Sequence, residues 1–329
     1  MTQITESDLQ QQLAKLGELR AAIGQAIVGQ QDVVEQLLIG LLAGGHCLLE
    51  GVPGLGKTLL VRSLGEALHL QFRRVQFTPD LMPSDILGTE LLEEDHGTGH
   101  RHFRFQPGPI FTNLLLADEL NRTPPKTQAA LLEAMQERTV SYAGTTHALP
   151  SPFFVLATQN PLEQAGTYPL PEAQLDRFMF KVLIDYPDMA DEVALVQAVI
   201  NSEGNDVLHG NTPGHVFQAA QIEQLQKWAA KVRVDSQLID YAVRLAGTTR
   251  TWPALSVGAG PRAGIALIGC ARAHALIQQR DFVTPDDIKA VWLPALRHRV
   301  RLSTQMEMEG VSVETVLAEL LASVPAPRI

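Results

Sequence analysis

Eight residues, Gly51-Val52-Pro53-Gly54-Leu55-Gly56-Lys57-Thr58, follow the spacing G-x-x-x-x-G-K-[ST]. Glycines so placed let backbone N–H groups surround an oxyanion, and the lysine and hydroxyl that follow add a charge and a cation ligand. The chemistry implied is capture of a nucleoside triphosphate. Lys57 would reach the outer phosphates, the Thr58 hydroxyl would hold Mg²⁺, and the loop through Leu59 would supply the other contacts. A second pair, Asp118-Glu119, closes an apolar run at 113–117. Carboxylates at the C-terminal end of such a strand lie where ligands of open α/β sheets collect. Asp118 is expected to bind Mg²⁺ directly or through water, and Glu119 to act as general base on the attacking water. Asn160, beyond the next apolar run, offers an amide that can orient water and touch the γ-phosphate. Arg177 stands just before a further run, and Arg262 opens a helical stretch. A lone arginine is more often a surface ion-pair residue than a catalytic one.

These residues need a frame, and the periodicities describe one. The apolar residues Cys47, Leu48 and Leu49 before the loop, and an amphipathic stretch at 59–68 after it, give the strand–loop–helix context that the motif requires. Short apolar runs at 47–50, 72–77, 113–117, 153–157 and 178–184 predict five strands. Most have apolar side chains at consecutive positions, as in a parallel sheet covered on both faces. Helical patterns between them, such as 127–135, supply the crossovers of an α/β layered domain. Ahead of the sheet, Leu9, Leu13, Leu16, Leu19 and Ile23 recur at helical spacing, and 32–43 reads as a second helix.

After Tyr186-Pro187 the patterns become helical, at 189–200, 221–231, 236–249, 261–279, 285–292 and 313–322. Thr284-Pro285-Asp286-Asp287 is a helix-start signal. The expectation is a nucleotide-binding α/β domain over 1–186 and a smaller all-helical domain over 187–329. Two segments inside the first domain, 90–108 and 139–152, read as inserted hairpins, the latter with Ala143-Gly144 at its tip.

Bulk properties narrow the class. The chain has 329 residues, 45% of them apolar, and a formal charge of −10. The acidic balance argues against nucleic acid as the main partner. The longest near-apolar stretch, 37–49, falls short of a membrane span. No basic segment followed by an apolar one marks a secretory signal. Cys47 and Cys270 sit among apolar residues and are expected as buried thiols, which fits a reducing cytosol. His96, His100 and His102 lack metal-site spacing. The basic run Arg297-His298-Arg299-Val300-Arg301 is expected to meet a neighbouring subunit or solvent, and Trp228, Trp252 and Trp292 to pack in the core or lid.

Taken in order, these motifs resemble the AAA+ ATPases, and within them the MoxR family, over nearly the whole chain. The resemblance rests on Ile27-Val28-Gly29-Gln30, the glycine-rich loop, Ala117 through Arg122, Ala157 through Pro161, Gln174 through Phe178, Gly260-Pro261-Arg262-Ala263 and Leu296 through Arg299. One departure is Gly258-Ala259-Gly260, where the family more often has Ser before the Pro-Arg pair. The resemblance implies a P-loop AAA+ core with a five-stranded parallel sheet and an all-α lid. It makes Asn160 the sensor-1 residue, Arg177 an arginine finger acting on a neighbour's nucleotide, and Arg262 the sensor-2 residue in contact with nucleotide. Val28 and Gly29 would pack near the adenine. The two hairpins resemble the helix-2 insert and pre-sensor-1 hairpin of one AAA+ branch. ATP and Mg²⁺ follow as ligands, a homo-oligomeric ring of six as the assembly, and a protein with a von Willebrand factor A domain as partner. The implied function is remodelling, maturation or metal-cofactor loading of that partner in the cytoplasm. A magnesium-chelatase-like motor subunit, or a DNA-associated AAA+ motor, is the alternative.

Overall fold

The computed structural model describes residues 11, 13–19, 23, 30–52, 54–94, 101–161, 166–201 and 216–327. Strands β1 (Cys47–Glu50), β2 (Phe72–Gln76), β3 (Leu114–Asp118), β4 (Phe154–Gln159) and β5 (Phe180–Leu183) form one parallel sheet in the order β2-β3-β4-β1-β5. The consecutive apolar residues divide by parity. Leu114 and Leu116 of β3 join one core cluster, while Leu115 and Ala117 join the other. Strand β2 departs from this pattern: Val75 is buried, but Arg73, Arg74 and Gln76 are exposed. As an edge strand it has a neighbour on one side only, and its polar positions remain near solvent.

Helix α1 (Gln31–Leu42) leads into β1, and α2 (Lys57–Ala67) carries the chain from β1 to β2. The short α3 (Pro83–Leu87) follows β2, and α4 (Pro125–Glu137) crosses from β3 toward β4. Because β1 lies between β4 and β5, the order of strand addition reverses there. The crevice created by that reversal opens at the strands' C-terminal ends.

Both predicted inserts are antiparallel pairs. In the first, Gly88–Glu94 pairs with Arg101–Pro107, and its tip, with His96 and His100, lies outside the described residues. In the second, Thr139–Tyr142 pairs with Thr145–Ala148. Its turn residues Ala143 and Gly144 both have positive φ (46° and 81°), which matches the right-handed twist of the flanking strands. The hairpins meet through Phe105, whose ring stacks on His147 with centroids 4.1 Å apart. Phe111 and Tyr142 each lie 5.7 Å from the same ring.

The short α5 (Glu172–Leu175) precedes β5, and the remainder is mainly helical: α6 (Met189–Asn201), α7 (Ala219–Ala229), α8 (Ser236–Thr248), α9 (Pro261–Ile277), α10 (Pro285–Leu296), α11 (Thr304–Met308) and α12 (Val313–Ser323). This helical lid also carries one short ribbon, Leu255–Val257 against Arg301–Leu302. Segments of three and two residues are too short to show a period, so neither stood out in the sequence. Trp292 is fully buried and donates its indole N–H to the Leu317 carbonyl at 2.9 Å; Trp228 and Trp252 pack partly buried against the same core. Cys47 and Cys270 are buried free thiols. A continuous apolar cluster joins α1, one sheet face and the lid, through residues such as Leu37, Leu49, Phe180, Leu267 and Trp292.

Candidate functional site

The glycine-rich loop connects the C-terminal end of β1 to the first turn of α2. Gly54 and Gly56 have φ of 89° and 71°, a region that residues with a Cβ seldom adopt. The turn at Gly56 aims the unpaired N–H groups of α2 back over the loop, as an anion site requires. Lys57 Nζ donates to the Gly51 carbonyl at 2.6 Å. Burial pushes this ammonium below its ordinary pKa, against the opposing pull of Asp118, Glu119 and Glu50. Val52, Leu55, Thr58 and Leu59 are partly buried around the loop. Gln30 braces it by donating to the Leu55 carbonyl at 3.2 Å. Pro53, Val28 and Gly29 lie outside the described residues.

Asp118 ends β3 and Asn160 follows the end of β4, so both stand at the same end of the sheet as the loop. Asp118 Oδ1 accepts the Thr158 hydroxyl at 2.6 Å, and that hydroxyl oxygen accepts the Glu119 N–H at 2.8 Å. Asp118 Oδ2 accepts two donors from Arg74 on β2, Nε at 3.0 Å and Nη2 at 2.6 Å. Glu119 has φ 58° and ψ 48°, and its Oε2 accepts from Gln76 Nε2 at 2.5 Å and lies 3.2 Å from Arg122 Nε. Asn160 is buried. A hydroxyl at Thr58 and a carboxylate at Asp118 are hard oxygen donors, the set that Mg²⁺ takes beside substrate phosphates. They fit the ion. Arg74, Gln76 and Thr158 escaped sequence reasoning, although alternation along β2 puts Arg74 and Gln76 on one face.

Beside the loop lies a cavity of about 680 Å³ lined by Gln30, Gln31, Gln36, Asp185, Tyr186, Arg297 and Glu314. Its wall joins the loop region where the Ile184 N–H donates to the Glu50 carbonyl at 2.8 Å. Carboxylates and amides around such a space can receive the amino and hydroxyl groups of a nucleoside.

Arg177 and Arg262 are brought together elsewhere. They share a cavity of about 310 Å³ with His46, Asp176, Met179 and Arg299. His46 precedes β1 and Met179 precedes β5, so this cavity is at the N-terminal end of the sheet, opposite the loop. Arg177 Nη1 donates to the Leu132 carbonyl at 2.9 Å, and Arg262 Nη1 lies 3.8 Å from Asp176 Oδ2. Arg262, expected among the nucleotide contacts, therefore does not reach the loop of its own chain, because α9 begins on the wrong side of the sheet for it.

The basic run is also corrected. The side chain of Arg299 is buried, and it donates from Nε to Asp176 Oδ1 at 2.8 Å and from Nη2 to the Phe178 carbonyl at 2.8 Å. His298 is buried and donates from Nε2 to the same carbonyl at 3.0 Å. Arg297 turns into the cavity beside the loop, 3.5 Å from Glu314. Arg301 alone of these charges stays exposed, paired with Glu172 at 3.0 Å. The C-terminal end of α10 packs against the sheet, so charges that looked solvated in the sequence anchor the lid.

A core of this order with a glycine loop at its switch point is the nucleotide-binding unit of AAA proteins. The model of the ATPase family associated with various cellular activities (AAA) matches residues 46–180, and that of the AAA lid domain matches 247–320. Chaperone MoxR1 of Mycobacterium tuberculosis is 42% identical over 321 residues, covering 93% of this chain and 81% of that protein. YeaC of Bacillus subtilis is 42% identical over 312 residues, covering 95% of each. The crystal structure of a candidate ATPase from Cytophaga hutchinsonii superposes with a TM-score of 0.88 at 40% identity, over 98% of both chains. The chain belongs to the MoxR family of AAA+ ATPases.

Proposed function

We propose that this chain hydrolyses ATP with Mg²⁺ in a homo-oligomeric ring of six, and uses the cycle to remodel a partner protein in the cytosol. In this reading Lys57 and the loop N–H groups hold the phosphates, while Thr58 and Asp118 hold Mg²⁺, whose charge eases phosphoryl transfer. Glu119 accepts the proton of the attacking water and Asn160 orients that water. Arg177 and Arg262 act on the nucleotide of the adjacent subunit. The partner carries a von Willebrand factor A domain, and remodelling serves its maturation or metal-cofactor loading. Residues 1–186 form the nucleotide-binding unit and 187–329 the lid unit.

One observation carries this reading: Lys57, Asp118 and Glu119 stand at the C-terminal end of the sheet, and Arg177 and Arg262 at the opposite end. Stacking copies head to tail around a ring would bring the two ends together. Mixing inactive Arg177→Ala with inactive Glu119→Gln tests it. Mixed rings contain interfaces with an intact Glu119 facing an intact Arg177, so part of the ATPase activity should return. No recovery in verified mixed rings rejects the shared site.

A further inference from the structure

Arg74, on the edge strand β2, has no part in the reading above, yet it engages the residue assigned to the metal. Its Nε and Nη2 both donate to Asp118 Oδ2, while Oδ1 is held by the Thr158 hydroxyl. Both carboxylate oxygens are therefore engaged, and Oδ2 is held by a cation. The parallel register aligns Gln76 with Asp118 and Arg74 with Leu116. Positions two apart on a strand share a face, so Arg74, Gln76 and Asp118 stand together. The same Nη2 donates to Gln76 Oε1 at 2.9 Å, and Gln76 in turn donates to Glu119. One guanidinium thus touches the metal carboxylate directly and the general base through a single amide.

A guanidinium and a divalent cation compete for one carboxylate oxygen. The N–H donors occupy the lone pairs that the ion needs, and the two positive charges repel at short range. The exposures decide which group yields. The Arg74 side chain is 47% exposed and the Asp118 side chain 13%, so the arginine has a way into water while the carboxylate stays in place. We infer that Arg74 is a gate on the metal position: it holds Asp118 before Mg²⁺ arrives and is displaced when the ion enters with nucleotide. This rests on the assignment of Asp118 to Mg²⁺. The competing role, an arginine that orients Asp118 for the ion, predicts a change of opposite sign.

The test is binding of a fluorescent ADP derivative to the full-length chain while Mg²⁺ is titrated from an EDTA-buffered zero. The wild-type chain should bind more tightly as Mg²⁺ rises. In Arg74→Ala the same tightening should occur at about fivefold lower Mg²⁺, the size of a half-exposed ion pair. Its affinity in EDTA should stay within about twofold of wild type, because the hydrogen bonds and ion pair of Arg74 go to Asp118 and Gln76, and to no described loop residue. Arg74→Lys keeps the charge without the two-donor fork and should fall between them; it carries the test if the alanine variant folds poorly. A Mg²⁺ midpoint that is unchanged or raised in both variants overturns the gate and leaves the metal site standing. A wild-type chain indifferent to Mg²⁺ overturns the metal assignment, and the gate with it.

Discussion

Glu119 is held with left-handed backbone angles, which cost a residue bearing a Cβ on the order of 1 kcal/mol. The bond from its N–H to Thr158 and the contacts of its carboxylate with Gln76 and Arg122 keep it there. Glutamine at this position preserves the shape and cannot take a proton from water. Glu119→Gln should therefore bind labelled ATP nearly as well as wild type and turn over ~10²–10⁴-fold more slowly. Lys57→Ala should weaken the binding itself, so equilibrium titration and steady-state assay separate the two. His46 makes a different kind of prediction. Its Nε2 donates to the Met135 carbonyl at 3.1 Å and its Nδ1 accepts the Val155 N–H at 3.0 Å, which fixes a neutral ring. Burial pushes its pKa down to about 4 from 6.5. Between those values the unfolded chain binds a proton that the folded chain refuses, so stability falls as pH falls, by ~3 kcal/mol in all. Urea midpoints at pH 7 and pH 4.5 should differ less in His46→Ala than in wild type. Some slope should remain from His298, which burial also pushes well below its ordinary value. The loop and the Asp118-Glu119 pair were legible in the sequence because their spacing is local. Arg74 was not, since it meets Asp118 only through the register of two strands 44 residues apart in the chain.

At the scale of elements, the hairpins could be read because each contains a turn signal, Gly97-Thr98-Gly99 in the first and Ala143-Gly144 in the second, between segments able to pair. Their contact could not, because nothing in either segment names the other. Phe105 supplies it by stacking on His147, so the exposed side chains of the first hairpin, Leu91, Leu92 and Phe103, are tied to the segment that precedes β4. Phe105→Ala should release the pair at a cost of about 0.5–1.5 kcal/mol beyond lost burial. Hydrogen exchange should quicken in 88–94, 101–107 and 139–148, while ATP affinity holds. Unchanged exchange in the second hairpin would show that it is fixed by its own strands. The fate of α10 shows the opposite limit of sequence reading. Helical periodicity was visible to Trp292, but the final turn to Leu296 includes Pro294, and its following charges point inward. Burial of an arginine depends on a distant acid, Asp176, which no local pattern reveals.

For the whole molecule, the two ends of the sheet carry different halves of one chemistry in the proposed reading, so a single chain has neither a complete site nor a reason to turn over quickly. ATPase activity per chain should rise with protein concentration as rings assemble, by as much as the ~10³–10⁵ that an arginine finger supplies. A verified monomer with concentration-independent activity would remove the need for a ring. The apolar cluster that runs unbroken from α1 through the sheet into α9 and α10 then has a mechanical meaning. A close-packed interior transmits strain without yielding, and among the described residues one apolar cluster spans the sheet face and the lid. In the proposed ring, a tilt imposed at the glycine loop would be carried across this packed body as by a stiff lever and delivered at the opposite end, to the next chain. In that reading torque would leave the subunit at its boundary, and a chain with a softened core would burn fuel with the clutch slipping.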